Sequence, residues 1–563
     1  MRRFLRVPLI AAAVWAMGTL EPATAMACGG FFCNRAQPVN QAAEGIIFAD
    51  NGDGTTTAVI QIQYQGPAQN FSWLLPISSV PKSDSDIGVA SNVALQRLQS
   101  ATNPQYTLTT RIEGSCREAD DDGGCGVKSG SSRTFAGRGP SAVDPSNTGV
   151  VVEATGVVGA FQWSVISLDQ TLVDPASLAV QWLKDNGYDV PSSAPALLGP
   201  YLKAGLHLLA LRLTKGADTG SIRPIMLTYA GAQPSIPVKL TAVAANDDMG
   251  VLTWVLGKSR AVPINYLSLE LNEARLDWLN GAFNYNAVVS EAANDAGGQG
   301  FVTEFAGDTK SLAGAVWTSR DQSDWSALKQ AVDLLGERQL IQEAQRLFGA
   351  WDGFWDATRA AVTLPGGISF DAFKVCLTCY TIQLSPTDYL EQLEKLVIEP
   401  VRRVQHLVDA HPEITRLYTT LSADEMTLDP LFGFNPGLQY VNNVHVAERV
   451  IECNPIVDLS DAPWHVELPQ GGAVAGKGSN WPTELAALPP NRVITRSAES
   501  GEGKVIEDNA EAIQSELARL EASRSAAADA GGGCTTGRAR ARGVWLAVTA
   551  LAAALLVRRR RRA

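Results

Sequence analysis

An apolar run from Val544 to Val557, closed by the consecutive arginines Arg558 to Arg562, constrains this chain more than any other feature. Such a run can hide its side chains only in lipid, and a terminal arginine cluster resists passage out of the cytoplasm. At the other end Arg2, Arg3 and Arg6 precede the apolar stretch Val7 to Met17. Ala25-Met26-Ala27 then supplies the small residues that a signal peptidase needs, with Ala25 and Ala27 at the cleavage subsites. Residues 1–27 therefore read as a signal peptide. The two ends together predict a chain threaded outward by the export machinery and held at the cell envelope or outer surface by its tail. Cleavage would leave Cys28 first. A lipoprotein signal also places cysteine there but prefers leucine where Ala25 stands, so ordinary secretion is favoured and lipidation stays open.

The tail helix is short. Gly543 to Val557 reaches only about 22 Å as a helix, against a hydrocarbon core of about 30 Å. Arginines at both ends, Arg538, Arg540 and Arg542 before it and Arg558 to Arg562 after it, can snorkel to close part of that gap. Gly533-Cys534, the apolar run and the arginine cluster resemble the myxobacterial C-terminal sorting tails of the MYXO-CTERM type. That resemblance implies recognition and cleavage near Cys534 by a processing enzyme, followed by display at the cell surface. A permanent single-pass membrane anchor is the alternative.

Three Arg and one Glu fall within the first 27 residues and eight Arg beyond Cys534. The exported body keeps 35 basic and 57 acidic side chains, a net charge near −22 against −12 for the whole chain. Such acidity argues against nucleic acid as a partner, since its binding draws on clustered Lys and Arg. Eight cysteines are too few for a disulfide scaffold. Their grouping suggests bridges within close pairs: Cys28 with Cys33, Cys116 with Cys125, Cys376 with Cys379. Cys453 is left free or paired with one of the first two.

The pattern predicts an α+β body. A hairpin turns at Asp50 to Gly54, with strands on either side from Glu44 to Tyr64. Phe71 to Pro76 reads as a buried strand, Asn92 to Ser100 as a helix, and 114–149 as a polar insertion. Strand signals follow at 149–158, 161–168, 205–214, 225–229, 238–244 and 251–256, at spacings typical of an antiparallel sheet. A helix carrying Leu178 to Leu183 ends at Asn186-Gly187. After about residue 320 the period becomes helical, through Leu328, Leu340, Leu347, Tyr389 to Leu396 and Val401 to Val408. The domain reading is thus a β-rich domain over 28–310 and a helical domain over 311–455. A Pro/Gly/Ala-rich linker with one helix near 504–528 covers 456–533, and the sorting tail 534–563. The segment 28–455 is expected to fold alone.

Cys28-Gly29-Gly30-Phe31-Phe32-Cys33, Gln61 to Tyr64, Trp73-Leu74-Leu75-Pro76, Trp182 to Tyr188 and Asn265-Tyr266 resemble an uncharacterised bacterial family, the domain of unknown function numbered 2330. The resemblance covers roughly residues 28–310 and implies kinship of fold and export, with no activity, cofactor or catalytic residue.

Catalytic motifs are sparse. Cys376-Leu377-Thr378-Cys379 lies in a β-like setting, so a static disulfide is favoured over redox chemistry, or over zinc shared with His406 and His411. His207 sits in a strand-like apolar run and reads as a core residue. Glu118 to Asp122 and the Asp50–Gly54 turn lack a full calcium loop. Glu270, Glu273, Arg275 and Asp277 beside Trp278 could line a cleft, although such charges usually decorate a surface helix. No catalytic, cofactor or metal residue is assigned, and no cofactor is expected. The expectation is an exported, non-catalytic binding or structural component with an unidentified envelope ligand or protein partner. The alternative is a secreted hydrolase whose active site assembles only in the fold.

Overall fold

A computed structural model describes residues 41–62, 72–82, 86–117, 149–169, 171–188, 190, 193–214, 222–231, 233–242 and 245–530. Strands β1 (Gln41–Asp50) and β2 (Thr55–Ile62) form the expected hairpin. Gly52 and Gly54 take positive φ at its turn, while the Asp50 and Asp53 carboxylates accept the N–H groups of Gly52 and Thr55. There follow β3 (Ser72–Ile77), β4 (Ile87–Val89), α1 (Asn92–Thr102), β5 (Gln105–Glu113), β6 (Val150–Val158) and β7 (Phe161–Leu168). Next come α2 (Pro175–Asp185), α3 (Ala194–Lys203), β8 (His207–Leu213), β9 (Ile225–Ala230), α4 (Val238–Thr241) and β10 (Ala245–Gly257). The run expected as a strand at 238–244 is therefore, over its described part, the short helix α4. Pro237 at its start fixes a backbone angle that suits a helical turn.

The middle of the chain contributes β11 (Ala261–Pro263), β12 (Leu267–Leu271), α5 (Tyr285–Asp295) and β13 (Gly300–Asp308). Helices α6 (Ser319–Ala331), α7 (Glu337–Phe348) and α8 (Phe354–Ala361) precede β14 (Val362–Thr363), α9 (Phe370–Val375), β15 (Gln383–Leu384), α10 (Pro386–Leu393) and α11 (Glu399–Asp409). The last part holds β16 (Glu413–Leu421), β17 (Phe432–Phe434), β18 (Val444–Glu452), β19 (Pro463–Glu467), β20 (Ala473–Lys477), β21 (Asn491–Arg496), β22 (Lys504–Asp508) and α12 (Ala510–Ala530).

Ten strands make the central sheet in the order β22-β21-β12-β13-β16-β10-β1-β2-β9-β4. It is mixed rather than antiparallel, because β1 runs parallel to β10 and β12 parallel to β13. Both faces of its middle strands are covered. Ile46 and Phe48 of β1 face one core and Ile47 and Ala49 the other, which is why that strand reads as an unbroken apolar run. Over the first face lies a second sheet, β3-β8-β7-β6, itself backed by α2 and α3 through Leu74, Ile166, Leu208 and Leu183. Against the second face pack α1 and α11, through Leu95, Leu98, Val401 and Val404. Helix–sheet–sheet–helix layering results.

The expected boundaries at 310 and 455 do not follow this architecture. Strand β16, from the supposed helical domain, sits between β10 and β13. The supposed linker supplies β19 to β22 and α12, and residues 504–508 are strand rather than helix. Trp464, Val466, Trp481, Ile494, Ile513 and Leu517 are buried with Trp278 and Val288 in one core. Pro463 begins a strand, Pro482 precedes a helical turn and Pro489 and Pro490 lie between elements, so each proline stands where a missing N–H does little harm.

Helices α6 to α10 enclose a further core around Trp325, Phe348 and Tyr389. Asp321 attaches it to α1. Its carboxylate takes the Arg97 fork at 2.6 and 3.1 Å and completes the Thr318 capping box of α6. Burial pushes the Asp321 pKa up, but the hydrogen bonds from Arg97 and Thr318 outweigh it and leave the carboxyl below its ordinary value. Asp321→Ala is expected to cost roughly 2–4 kcal/mol, combining a lost cap with a stranded guanidinium. Because the folded pKa is depressed, this contribution is complete above the unfolded carboxyl pKa of about 3.9. It fades as pH falls through the lower folded value. Urea melts of both forms at several acidic pH values measure it, and their stability difference should shrink with acid.

Candidate functional site

The alternation of β3 sends Leu74 toward α2 and α3, and Trp73 and Leu75 toward the central sheet. Opposite them, β1 presents Ile46 and Phe48, and β2 presents Ala58 and Ile60. Ala58 contributes only a methyl group where its neighbour Ile60 fills space. Between the two sheets remains an apolar cavity of about 280 Å³. That is close to the lower end of the usual ligand-pocket range of about 300–1,000 Å³. Pro237, Leu240 and Leu206 wall it, and it reaches the surface at the exposed residues Ser78, Gly231 and Gln233.

Its polar groups gather at one side. The Tyr201 hydroxyl, at the end of α3, donates to Asp429 Oδ2 at 2.7 Å, and the Lys239 backbone N–H donates to Oδ1 at 3.1 Å. Both Tyr201 and Asp429 line the cavity. Burial first, then the Asp429 charge, raises the Tyr201 phenol far above its usual pKa, so it stays a neutral donor. Burial does the same to Tyr229. The site suits an apolar molecule with a small polar end.

This constellation has no local sequence signature. Tyr201 and Asp429 stand 228 positions apart, and neither lies in a motif. The apolar strings Trp73-Leu74-Leu75 and Ile46-Ile47-Phe48 signal burial, but not that a void is left between them.

The residues singled out in sequence fall elsewhere. Glu273, Arg275 and Asp277 are buried rather than spread on a helix surface. Glu273 Oε1 meets His445 Nδ1 at 2.7 Å, and His445 stacks on Tyr106 with ring centroids 4.7 Å apart. The other oxygen, Glu273 Oε2, is buried without a hydrogen-bond partner. Arg275 reaches Glu291, Asp277 caps the turn at Trp278 to Asn280, and Glu270 pairs with Arg492 on the surface side. A buried ion pair lies close by: Arg416 binds Glu304, which also accepts the Tyr285 hydroxyl at 2.6 Å. Burial and the Glu304 charge hold that phenol neutral.

Cys376 and Cys379 form the expected disulfide. Cys376 caps the C-terminal end of α9, where the helix dipole disfavours a thiolate, and a bridged pair leaves no thiol for zinc. The ring nitrogens of His411 lie 2.7 and 3.1 Å from the carbonyl oxygens of Leu407 and Asp50. His207, part-buried at the start of β8, has a buried Nδ1 with no partner. Cys116 bonds to Cys453, not to Cys125. The reason is topological: β5 and β18 run parallel in register to Glu113↔Glu452, which delivers the two cysteines side by side with Cα atoms 4.6 Å apart. Ala25, Ala27, Cys28, Cys33, Glu118 to Asp122, Cys125, Gly533, Cys534 and the tail helix lie outside the described residues. Among the described residues no group of three metal-ligating side chains could hold an ion, and no helix is long and apolar enough to cross a membrane.

Two stacked sheets wrapped by helices, with a chamber between them, define a layered α+β body. The chain belongs to a family of uncharacterized proteins conserved in bacteria (DUF2330), whose signature matches residues 22–327. No curated protein matches the chain. Among solved structures, a mutated baculovirus P35 after caspase cleavage shares 11% identity, with 41% of this chain and 76% of that one covered, at a TM-score of 0.22. So weak a likeness carries no argument about this chain.

Proposed function

We propose that this chain is an exported, envelope-anchored protein that holds a small apolar ligand between its two sheets without converting it. The observation that carries this reading is the cavity lined by Phe48, Ile60, Trp73 and Leu75 with its polar end at Tyr201 and Asp429. An empty apolar void costs on the order of 20 cal/mol per Å³, so a ligand that fills it stabilises the fold. Export is supported by the signal-like start through Ala25 and Ala27 and by two disulfides, which persist in oxidising compartments. Anchoring rests on Val544 to Val557 and the arginines after it, with Cys534 as the processing residue.

A neutral, environment-sensitive apolar dye tests the binding. Saturable one-site binding is expected, lost in Ala58→Phe, which pushes a ring into the chamber from β2. Retained binding in a variant that still melts cooperatively would place the ligand elsewhere. For the tail, Cys534→Ala is expected to leave the body folded and the tail uncleaved, read from intact mass and membrane fraction. A secreted hydrolase remains the second reading, favoured only by the Glu273–His445 contact. Under it Glu273→Gln and His445→Ala would each abolish hydrolysis of a screened ester or peptide panel without shifting dye affinity.

A further inference from the structure

The cavity's polar end carries one sign of charge. Asp429 is the sole ionisable acid or base, apart from the two phenols, among the described residues that line it. Its two partners, the Tyr201 hydroxyl and the Lys239 backbone N–H, are uncharged donors, and no lysine or arginine among the described residues forms an ion pair with it. Two hydrogen bonds leave lone pairs free on a carboxylate that can accept about four. Among the other polar residues that line the cavity, Ser78 already donates its hydroxyl to the Ala230 carbonyl, and Gln233, Ser235 and Thr241 carry no charge. A ligand carboxylate or phosphate would meet Asp429 with no cation between them, and like charges in a poorly hydrated site repel strongly.

We infer that the ligand is an amphiphile with an apolar body and a cationic, hydrogen-bond-donating head, such as an alkylammonium, with the head against Asp429 and the body between β1, β2 and β3. This inference rests on the cavity reading above and adds the class of head group. Negative charge over the exported body works in the same direction by drawing cations toward the surface. By the same argument free fatty acids and lipids with a purely anionic head should bind more weakly than an ammonium of equal chain length.

Three chain-matched probes, decylammonium, decanol and decanoate, are titrated below their micelle-forming concentrations against the dye-loaded full-length chain. Decylammonium should displace the dye about tenfold more tightly than decanol, with decanoate weakest. Asp429→Asn should bring decylammonium and decanol to equal affinity, each taken relative to the dye affinity measured for that same variant. Tyr201→Phe, which removes a competing donor from the carboxylate, should preserve or widen the ammonium preference. Decanoate binding as well as decylammonium, or an ammonium preference that survives Asp429→Asn, overturns the head-group inference and leaves the cavity reading standing. If neither the dye nor any probe binds, the cavity reading itself falls, and this inference with it.

Discussion

A chain cut after Pro455 is expected to lose cooperative unfolding altogether. The cut removes Trp464, Val466, Trp481, Leu485, Leu488, Ile494, Ile513 and Leu517 and, with Ala462, Leu468 and Val474, close to half of the buried core around Trp278. Each large side chain contributes roughly 1.5–3 kcal/mol when buried, so their summed loss is comparable to or greater than the whole net stability of about 5–15 kcal/mol typical of a native protein. It also strips β21 from β12 and β19 from β18, leaving open edges on two sheets. The α12 contacts of Ile513 and Leu517 place the end of the cooperative unit beyond residue 517. Calorimetry on fragments ending at 455 and at 530 checks this. A single sharp transition in the shorter fragment would show that the C-terminal strands dock on an already complete body.

The second large effect concerns Cys116 and Cys453. A bridge across 337 positions restricts the unfolded chain far more than the bridge across three positions at Cys376–Cys379. The chain-entropy relation gives roughly 6 kcal/mol for the former, just above the measured range of about 0–5, and under about 2 kcal/mol for the latter. Cys116→Ser with Cys453→Ser should therefore move the denaturation midpoint several times further than Cys376→Ser with Cys379→Ser. Equal shifts would mean that the long bridge closes a contact already present in the unfolded ensemble. The same junction makes Gly114 irreplaceable. It sits at φ 82°, and a side chain there would meet the Cys453 carbonyl oxygen at 2.2 Å.

Much of the fold was legible. Phe161–Leu168 reads as a strand from its alternation and is β7, and α2 ends where Asn186-Gly187 punctuates the pattern. Helices α6, α7, α10 and α11 follow from period alone. What failed was long-range. Glu413–Leu421 is rich in β-branched residues but follows several helices, so its place between β10 and β13 cannot be inferred from neighbours in sequence. The last strands are short and flanked by prolines, which mimics a linker. Proximity in sequence suggests Cys125 as the partner of Cys116, because spacing carries no information on which strands lie side by side. The candidate site was the least legible, since a cavity is a mismatch of surfaces and Tyr201 and Asp429 meet only after both sheets have formed.

The strand order has a consequence for how such a chain matures. If it emerges N-terminus first, β1 and β2 appear early with apolar side chains on both faces. Yet β1 must wait for β10 at residue 245, and the gap between β10 and β13 closes only with β16 at residue 413. Strand β21 arrives later still, near residue 491, and the edge strand β22 after it at residue 504. Pairing over such separations is slow, because loop closure precedes any reward from contact. Most of the polypeptide must therefore be present before its central sheet is complete. During that interval it is a natural client for holding factors, and its early strands are the segments most exposed to mispairing with other copies.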